Sequence, residues 1–400
     1  MTRGIFGVAT RRCLWMWLSL LVGALAGSPT SAQEPIKIGW LPALTGALSS
    51  SSLAYDKAIQ FAIEEINAAG GINGRKVELV TRDTESNPTK AVNYAQQLVL
   101  GEKVHFVIGP VNSGESLAAL PIISKAGIPN IILSALDDMV GADKFPRAFR
   151  TINTNKQWID KSVDYLTKVL KRRKVAIIGD TSGYAVGSIK VITSELTAVG
   201  AEVVSSALVD VNKTDFTDEI TKARQAGADV VIAWTGAVGM HARILNAKGN
   251  TGWDVPVVAQ VGILALAPKT LVNKPSYLDN VFVAGYAGTT YDTKGELPEA
   301  TKALMKKMGS RLGEAGKIEY TMWQVALGYD CVKIIEHAVK KAGSVDGAAI
   351  QKALEETKDL KGVFATYSWS AKERNGVPDL DIVMNLANSY NDGNFMMAPR

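Results

Sequence analysis

The chain has 400 residues, 47% of them hydrophobic and 21% charged, with 44 Lys and Arg against 39 Asp and Glu for a formal charge of +5. That near balance, with no basic stripe interleaved with aromatics, argues against a nucleic-acid partner. Only two cysteines are present, Cys13 and Cys331, which excludes a disulfide framework and a zinc site built on thiolates.

The first 32 residues read as a signal peptide outside the fold. Arg3, Arg11 and Arg12 precede an apolar run from Cys13 to Ala26, and the small residues Thr30-Ser31-Ala32 end it. Cleavage after Ala32 would release an exported chain, and the apolar run is shorter than the roughly 20 residues of a membrane span. "TRRCLW" loosely resembles a twin-arginine signal. Loss of the three arginines takes the charge from +5 to +2. Cys13 leaves as well, and Cys331, among Val332, Ile334 and Ile335, reads as a small buried hydrophobe.

From Ile36 onward, short β-branched runs alternate with helix-period segments. Strands are expected at 36–41, 76–82, 104–109, 128–133, 174–179, 202–208, 229–234, 255–259 and 281–286. Helices are expected at 54–69, 88–100, 114–126, 156–171, 185–199, 216–226 and 238–248. Continuous apolar strands between amphipathic helices imply α/β lobes, each a parallel sheet covered on both faces. The residues after the leader exceed what one core usually holds, so two lobes are expected. Helices at 296–312, 320–342 and 346–358, then strands at 362–369 and 380–387, read as chain returning to complete lobes begun earlier. The basic run "LKRRK" at 170–174 falls at a helix end, where cations suit the dipole.

In doubly wound sheets, ligands bind beyond the carboxyl ends of the strands. That directs attention to loops 42–52, 110–114, 134–140, 180–184, 234–238 and 260–264. They hold no G-x-S-x-G, no H-E-x-x-H, no phosphate loop and no dinucleotide fingerprint. His105 reads as lying in a strand, and His241 and His337 in helices, so no base stands beside a candidate nucleophile. An enzyme is not expected, nor is a cofactor or a metal. The loops instead carry short hydrogen-bonding groups: Thr45, Ser49 to Ser52, Asn112, Ser113, Ser134, Thr181, Ser182, Tyr184 and Thr235. At the helix starting by Gly114, Asn112 and Ser113 either hold an anion on the helix N-terminus or simply cap the helix. Trp234 is either a flat apolar wall for a ligand or interior packing. Trp40 reads as core.

Four stretches carry a resemblance: "IKIGWLPALTG", "FAIEEINAAGGINGRKVELVTRD", "HFVIGPVNSG" and "GIPNIILSA". They resemble the periplasmic solute-binding proteins of branched-chain and hydrophobic amino acid ABC importers. The most specific piece is Ile66-Asn67 with Gly70, Gly71, Ile72 and Gly74. "KVAIIGDTSGYAVGS" and "GADVVIAWTGA" match more loosely. The resemblance implies two doubly wound parallel-sheet lobes joined by three crossover strands and closing like a flytrap. Lobe one would be 36–152 plus 286–361, and lobe two 153–285 plus 362–400.

It also implies a monomer that captures a small solute and delivers it to membrane ABC permease subunits. Carried over position by position, it implies Ser113, Ser134, Ala135, Leu136, Asp137, Tyr184 and Val261 as solute-binding positions, to which the loop reading adds Ser51, Asn112, Trp234, Thr235 and Gln260. Two positions depart from the family pattern. Asp137 stands where a hydroxyl is usual. Val261, between Gln260 and Gly262, stands where an acid usually pairs with the ligand ammonium. A buried ammonium without a partner costs several kcal/mol. Either Asp137 supplies the acid from the opposite lobe, or the solute lacks an ammonium and Asp137 is a hydrogen-bond acceptor or a helix cap.

Overall fold

The computed structural model describes residues 1, 2, 4, 33–46, 49–265, 270–314 and 317–400, without the side chains of residues 50, 51 and 138. Residues 35–400 form one compact unit.

The first sheet is built from β1 (Ile36–Trp40), β2 (Val77–Thr81), β3 (Phe106–Ile108), β4 (Asn130–Ile132) and β5 (Ala148–Arg150). Their order is β2-β1-β3-β4-β5, all parallel. Helices α1 (Ser49–Ala68), α2 (Pro88–Gln96) and α3 (Ser113–Lys125) make the crossovers. After β5 the chain enters α4 (Asn155–Asp164), which a π-turn extends over Tyr165–Val169.

The second sheet repeats the plan with β6 (Lys174–Asp180), β7 (Glu202–Val209), β8 (Val230–Trp234), β9 (Val257–Ala259) and β10 (Val281–Tyr286). Its order is β7-β6-β8-β9-β10, all parallel, and strand Ile382–Leu386 closes the far edge antiparallel to β10. Helices α5 (Gly183–Ala198), α6 (Thr217–Gln225) and α7 (Val238–Asn250) make these crossovers. The inner strands are apolar and nearly all buried, as expected where helices cover both faces of a parallel sheet, whereas the edge strand β7 has no buried residue and the edge strand β2 only two. Both sheets have a switch point where strand order reverses, at β1/β3 and at β6/β8.

The expected strands through 281–286 are all present. The expectation omits β5, whose three residues pair with β4 on one side. On its other side runs the segment 374–376. Arg150 N–H donates to Arg374 O at 2.8 Å, and Gly376 N–H donates to Arg150 O at 3.0 Å. His105 lies one residue before β3, and its Nδ1 accepts from Lys37 N–H at 3.0 Å.

The later helices serve the first sheet. Helix Met322–Ala342 packs along α1 so closely that a Cβ at Gly328 would lie 2.8 Å from Tyr55 O, a separation only glycine permits. From the same helix, Asp330 is buried and accepts from Val363 N–H (2.9 Å), Phe364 N–H (2.8 Å) and the Tyr367 hydroxyl (3.0 Å). Trp369 Nε1 donates to Arg150 O at 3.1 Å. Residues 363–376 are therefore tied to the first sheet before the chain leaves for strand Ile382–Leu386. Cys331 is buried one residue from Asp330.

Candidate functional site

The ends of β6, β8 and β9 bring together a polar cluster at the switch point of the second sheet. Tyr184, in the first turn of α5, is its centre. Its hydroxyl donates to Asn155 Oδ1 at 3.0 Å and accepts from Gln260 Nε2 at 3.3 Å. Asn155 Nδ2 in turn donates to Ser188 Oγ at 3.0 Å. Burial pushes the Tyr184 phenol well above its ordinary pKa, so the hydroxyl stays neutral and acts through hydrogen bonds. Gln260 caps the 3-10 turn Val261–Leu264 by accepting from Gly262 N–H at 2.6 Å. Val261 is buried beside it.

Below this layer, Thr235 donates from Oγ1 to Asp180 Oδ2 at 2.5 Å, and Ser182 N–H donates to Asp180 Oδ1 at 2.7 Å. Both oxygens of the buried Asp180 are thereby engaged. The Thr235 carbonyl meets His241 Nε2 at 3.1 Å. That contact places the proton on Nε2, and burial holds the imidazole pKa down to about 4. His241 is thus a neutral core histidine.

Aromatic rings wall this region. Trp234 is 1% exposed, and its indole lies beside the Tyr184 hydroxyl. Trp158 and Tyr286 have ring centroids 6.4 Å apart, Tyr286 and Trp323 5.4 Å, and Trp323 and Tyr55 6.2 Å. The indole N–H groups of Trp158, Trp234 and Trp323 are buried and meet no hydrogen-bond acceptor at bonding geometry among the described residues.

On the first sheet, Asn112 caps α3 by accepting from Glu115 N–H at 3.0 Å, and its Nδ2 donates to Glu115 Oε2. Ser113 is half-buried, with no side-chain hydrogen bond among the described residues. Ser134 is buried against Ser116 Oγ and the carbonyls of Pro110 and Val111. The carbonyls of Ala135 and Leu136 accept from Arg150 at 3.3 and 2.5 Å. Asp137 Oδ1 accepts from Lys156 N–H at 2.8 Å, so the carboxylate sits on the N-terminus of α4. The side chain of Ser51 lies outside the described residues.

Tyr184, Trp234, Thr235, Gln260 and Val261 therefore share one cluster. Asn112, Ser113, Ser134, Ala135, Leu136 and Asp137 lie at the strand ends of the other sheet, where α3 approaches α5. Asn155 and Asp180 are absent from the sequence expectation. The signal for Asn155 is the capping box Thr154-x-x-Gln157, present in the structure, which marks a helix start beside the site. A separate groove of about 490 Å³ lies between α4, strand Ile382–Leu386 and residues 397–400, and shares no residue with the Tyr184 cluster. Among the described residues no group of three or more His, Cys, Asp or Glu is placed to hold a metal ion.

Two doubly wound sheets of like order, with hydrogen-bonding loops at their carboxyl ends, define a solute-binding architecture. The chain matches the family model described as periplasmic binding protein over residues 35–388 and belongs to that family. It is 28% identical over 371 residues to Leu/Ile/Val-binding protein homolog 3 of Brucella melitensis, covering 91% of this chain and 95% of that one. Its fold is similar to that of the branched-chain amino acid transporter substrate-binding protein LivJ of Streptococcus pneumoniae in complex with isoleucine. There the TM-score is 0.77 and the identity 26%, over 90% of this chain and 97% of that one. It is also similar to a solute-binding protein of an ABC transporter from Rhodopseudomonas palustris in complex with 4-hydroxybenzoate. That match has a TM-score of 0.74 at 19% identity, over 92% of this chain and 96% of that one. No described helix is long and apolar enough to cross a membrane.

Proposed function

We propose that the protein is a monomeric periplasmic receptor, released by cleavage after Ala32, that captures a small carboxylate solute between its lobes and delivers it to the permease subunits of an ABC importer. It makes and breaks no bond in the solute. The observation that carries this reading is the Tyr184 hydroxyl held between Asn155 and Gln260, with Trp234 beside it and Tyr286 near it. A neutral hydrogen-bonding layer set in an apolar wall suits a solute with an apolar or aromatic body whose carboxylate exchanges into those bonds. Ser113 offers its hydroxyl at the start of α3 from the other lobe, while Asn112 serves as the helix cap. Contacts to both lobes favour the closed state, and closure is the transport signal.

The solute class we favour lacks an ammonium group. Asp180 has both oxygens engaged, Asp137 already gives one oxygen to the N-terminus of α4, and Val261 is apolar, so the cluster is poorly set to pair an ammonium. The second reading is a branched-chain amino acid, favoured by the isoleucine-bound relative. We take lobe one as 36–152 plus 286 onward and lobe two as 153–285 plus the C-terminal strand. The bonds of Asp330 and Arg150 to residues 363–376 support placing the last crossing near 376 rather than at 361.

Micromolar capture corresponds to about 8 kcal/mol, within reach of a few hydrogen bonds and an apolar wall after ordering costs. A thermal-shift screen of aromatic carboxylates, short amides and branched-chain amino acids tests the reading, because a ligand of the native state raises Tm. Stabilisation by carboxylates lacking an ammonium supports it. Stabilisation by leucine or isoleucine alone supports the second reading, and turnover of an ester or amide would refute both.

A further inference from the structure

We infer that Arg150 is a positioning residue for the candidate site, acting through the loop after β4 on Asn155 and Tyr184. This rests on the reading of the Tyr184 cluster as the solute site. Arg150 ends β5 and is fully buried. Its guanidinium donates to three successive carbonyls: Ala135 O at 3.3 Å from Nη1, then Leu136 O at 2.5 Å and Asp137 O at 3.4 Å from Nη2. A planar fork with fixed donors can collect three carbonyls of one loop, whereas an ammonium is a point charge that does not fix their directions.

The loop so gathered seats the start of α4. Asn155 N–H donates to Ala135 O at 2.6 Å, and Lys156 N–H donates to Asp137 Oδ1 at 2.8 Å. These are two of the N–H groups that a helix start leaves without an internal partner. The side chain of Asn155 is in turn the acceptor for the Tyr184 hydroxyl. The path is therefore Arg150, the carbonyls of 135–137, the first turn of α4, Asn155 and Tyr184. Hydrogen bonds at Ala135 O join Arg150 to the Asn155 amide, Asn155 itself carries the path to its side chain, and a last hydrogen bond reaches Tyr184 at the centre of the cluster on the second sheet.

The test is hydrogen exchange on the full chain without added solute, comparing Arg150→Lys with the parent. The variant keeps the charge and loses the fork. The amides of Asn155 and Lys156 are expected to exchange about tenfold faster or more, while those of β6 and β8 keep their rates, because the opening is local. Unchanged rates at Asn155 and Lys156 would overturn the inference. So would an equal rise throughout β6 and β8, which marks a purely structural role. The parent chain supplies a second measurement that needs no variant. The guanidinium protons of Arg150 and the two amides should share one opening free energy. A lower one for the guanidinium, with the amides still protected, would overturn the inference. None of these readings uses a solute, so failure of the solute screen and failure of this relay are separate results.

Discussion

The hydroxyl of Tyr286 donates to Asn153 Oδ1 at 2.6 Å, joining two of the segments by which the chain passes between sheets. Tyr286 ends β10, and Asn153 lies between β5 and α4. Both are buried. Gln157 makes the corresponding link to the last crossing, donating to Val377 O at 3.0 Å and Asp379 Oδ1 at 2.6 Å. The crossings are thus braced to one another by side chains. Tyr286→Phe keeps the ring packed against Phe364 and Trp323, 4.2 and 5.4 Å away by centroid, and leaves Asn153 Oδ1 buried without this donor. A stability loss of about 1–3 kcal/mol is expected from urea unfolding. A loss under about 0.5 kcal/mol would mean the brace contributes little.

Tyr184→Phe tests the site rather than the frame. It removes the group that joins Asn155 to Gln260 and leaves the ring against Trp234. If the solute reads that hydroxyl layer, affinity for a carboxylate identified in the screen should fall about tenfold or more by calorimetry, alongside a stability loss of about 1–3 kcal/mol because Asn155 Oδ1 and Gln260 Nε2 lose this partner. Undiminished affinity would move the solute away from the Tyr184 layer.

Most of this fold is legible because its strands are continuous apolar runs and its helices keep their period. What the sequence hides depends on pairing with distant chain. Ala148–Arg150 is too short to show a pattern, and becomes a strand because β4 and residues 374–376 lie on its two sides. The place of the last crossing depends on Asp330, a single acid inside an apolar helix that gathers Val363, Phe364 and Tyr367. Within the site, Tyr184 and Gln260 are visible from the strand-end rule. Asn155 is not, since an asparagine at a helix start reads as local capping. Asp137 presents the opposite case: an acid that looks available in sequence is used by the N-terminus of α4.

The loop after β1 is held by the loop after β2, which gives a prediction at Gly46. Asp83 accepts from Leu44 N–H at 2.9 Å and from Thr45 Oγ1 at 2.8 Å. Gly46 has φ +86°, and a Cβ there would lie 2.5 Å from Glu85 O. Gly46→Ala therefore meets both a left-handed backbone and a steric clash. A destabilisation of about 1–3 kcal/mol is expected, with faster hydrogen exchange confined to residues 42–46 and 83–86. A variant as stable as the parent would show that this loop repacks freely.

Two buried groups should titrate against each other between pH 4 and 6.5. Burial raises the Asp330 pKa to about 6 despite its three donors, above the roughly 3.9 of an unfolded chain. In that window the folded state holds a proton that the unfolded state has lost. The contribution of Asp330 is therefore fully present below about pH 4 and is lost as pH rises through 6. Burial lowers the His241 pKa to about 4, below the roughly 6.5 of an unfolded chain. Here the unfolded state holds the extra proton, so the contribution is full above pH 6.5 and is lost as pH falls through 4. Each has a limiting slope of about 1.4 kcal/mol per pH unit, of opposite sign. Measured against the parent by urea unfolding at each pH, His241→Gln should gain relative stability as pH falls from 6.5 to 4. Asp330→Asn should lose relative stability over the same fall, on top of a constant cost from its misdirected amide protons. Parallel pH profiles for parent and both variants would show that neither group changes its proton affinity on folding.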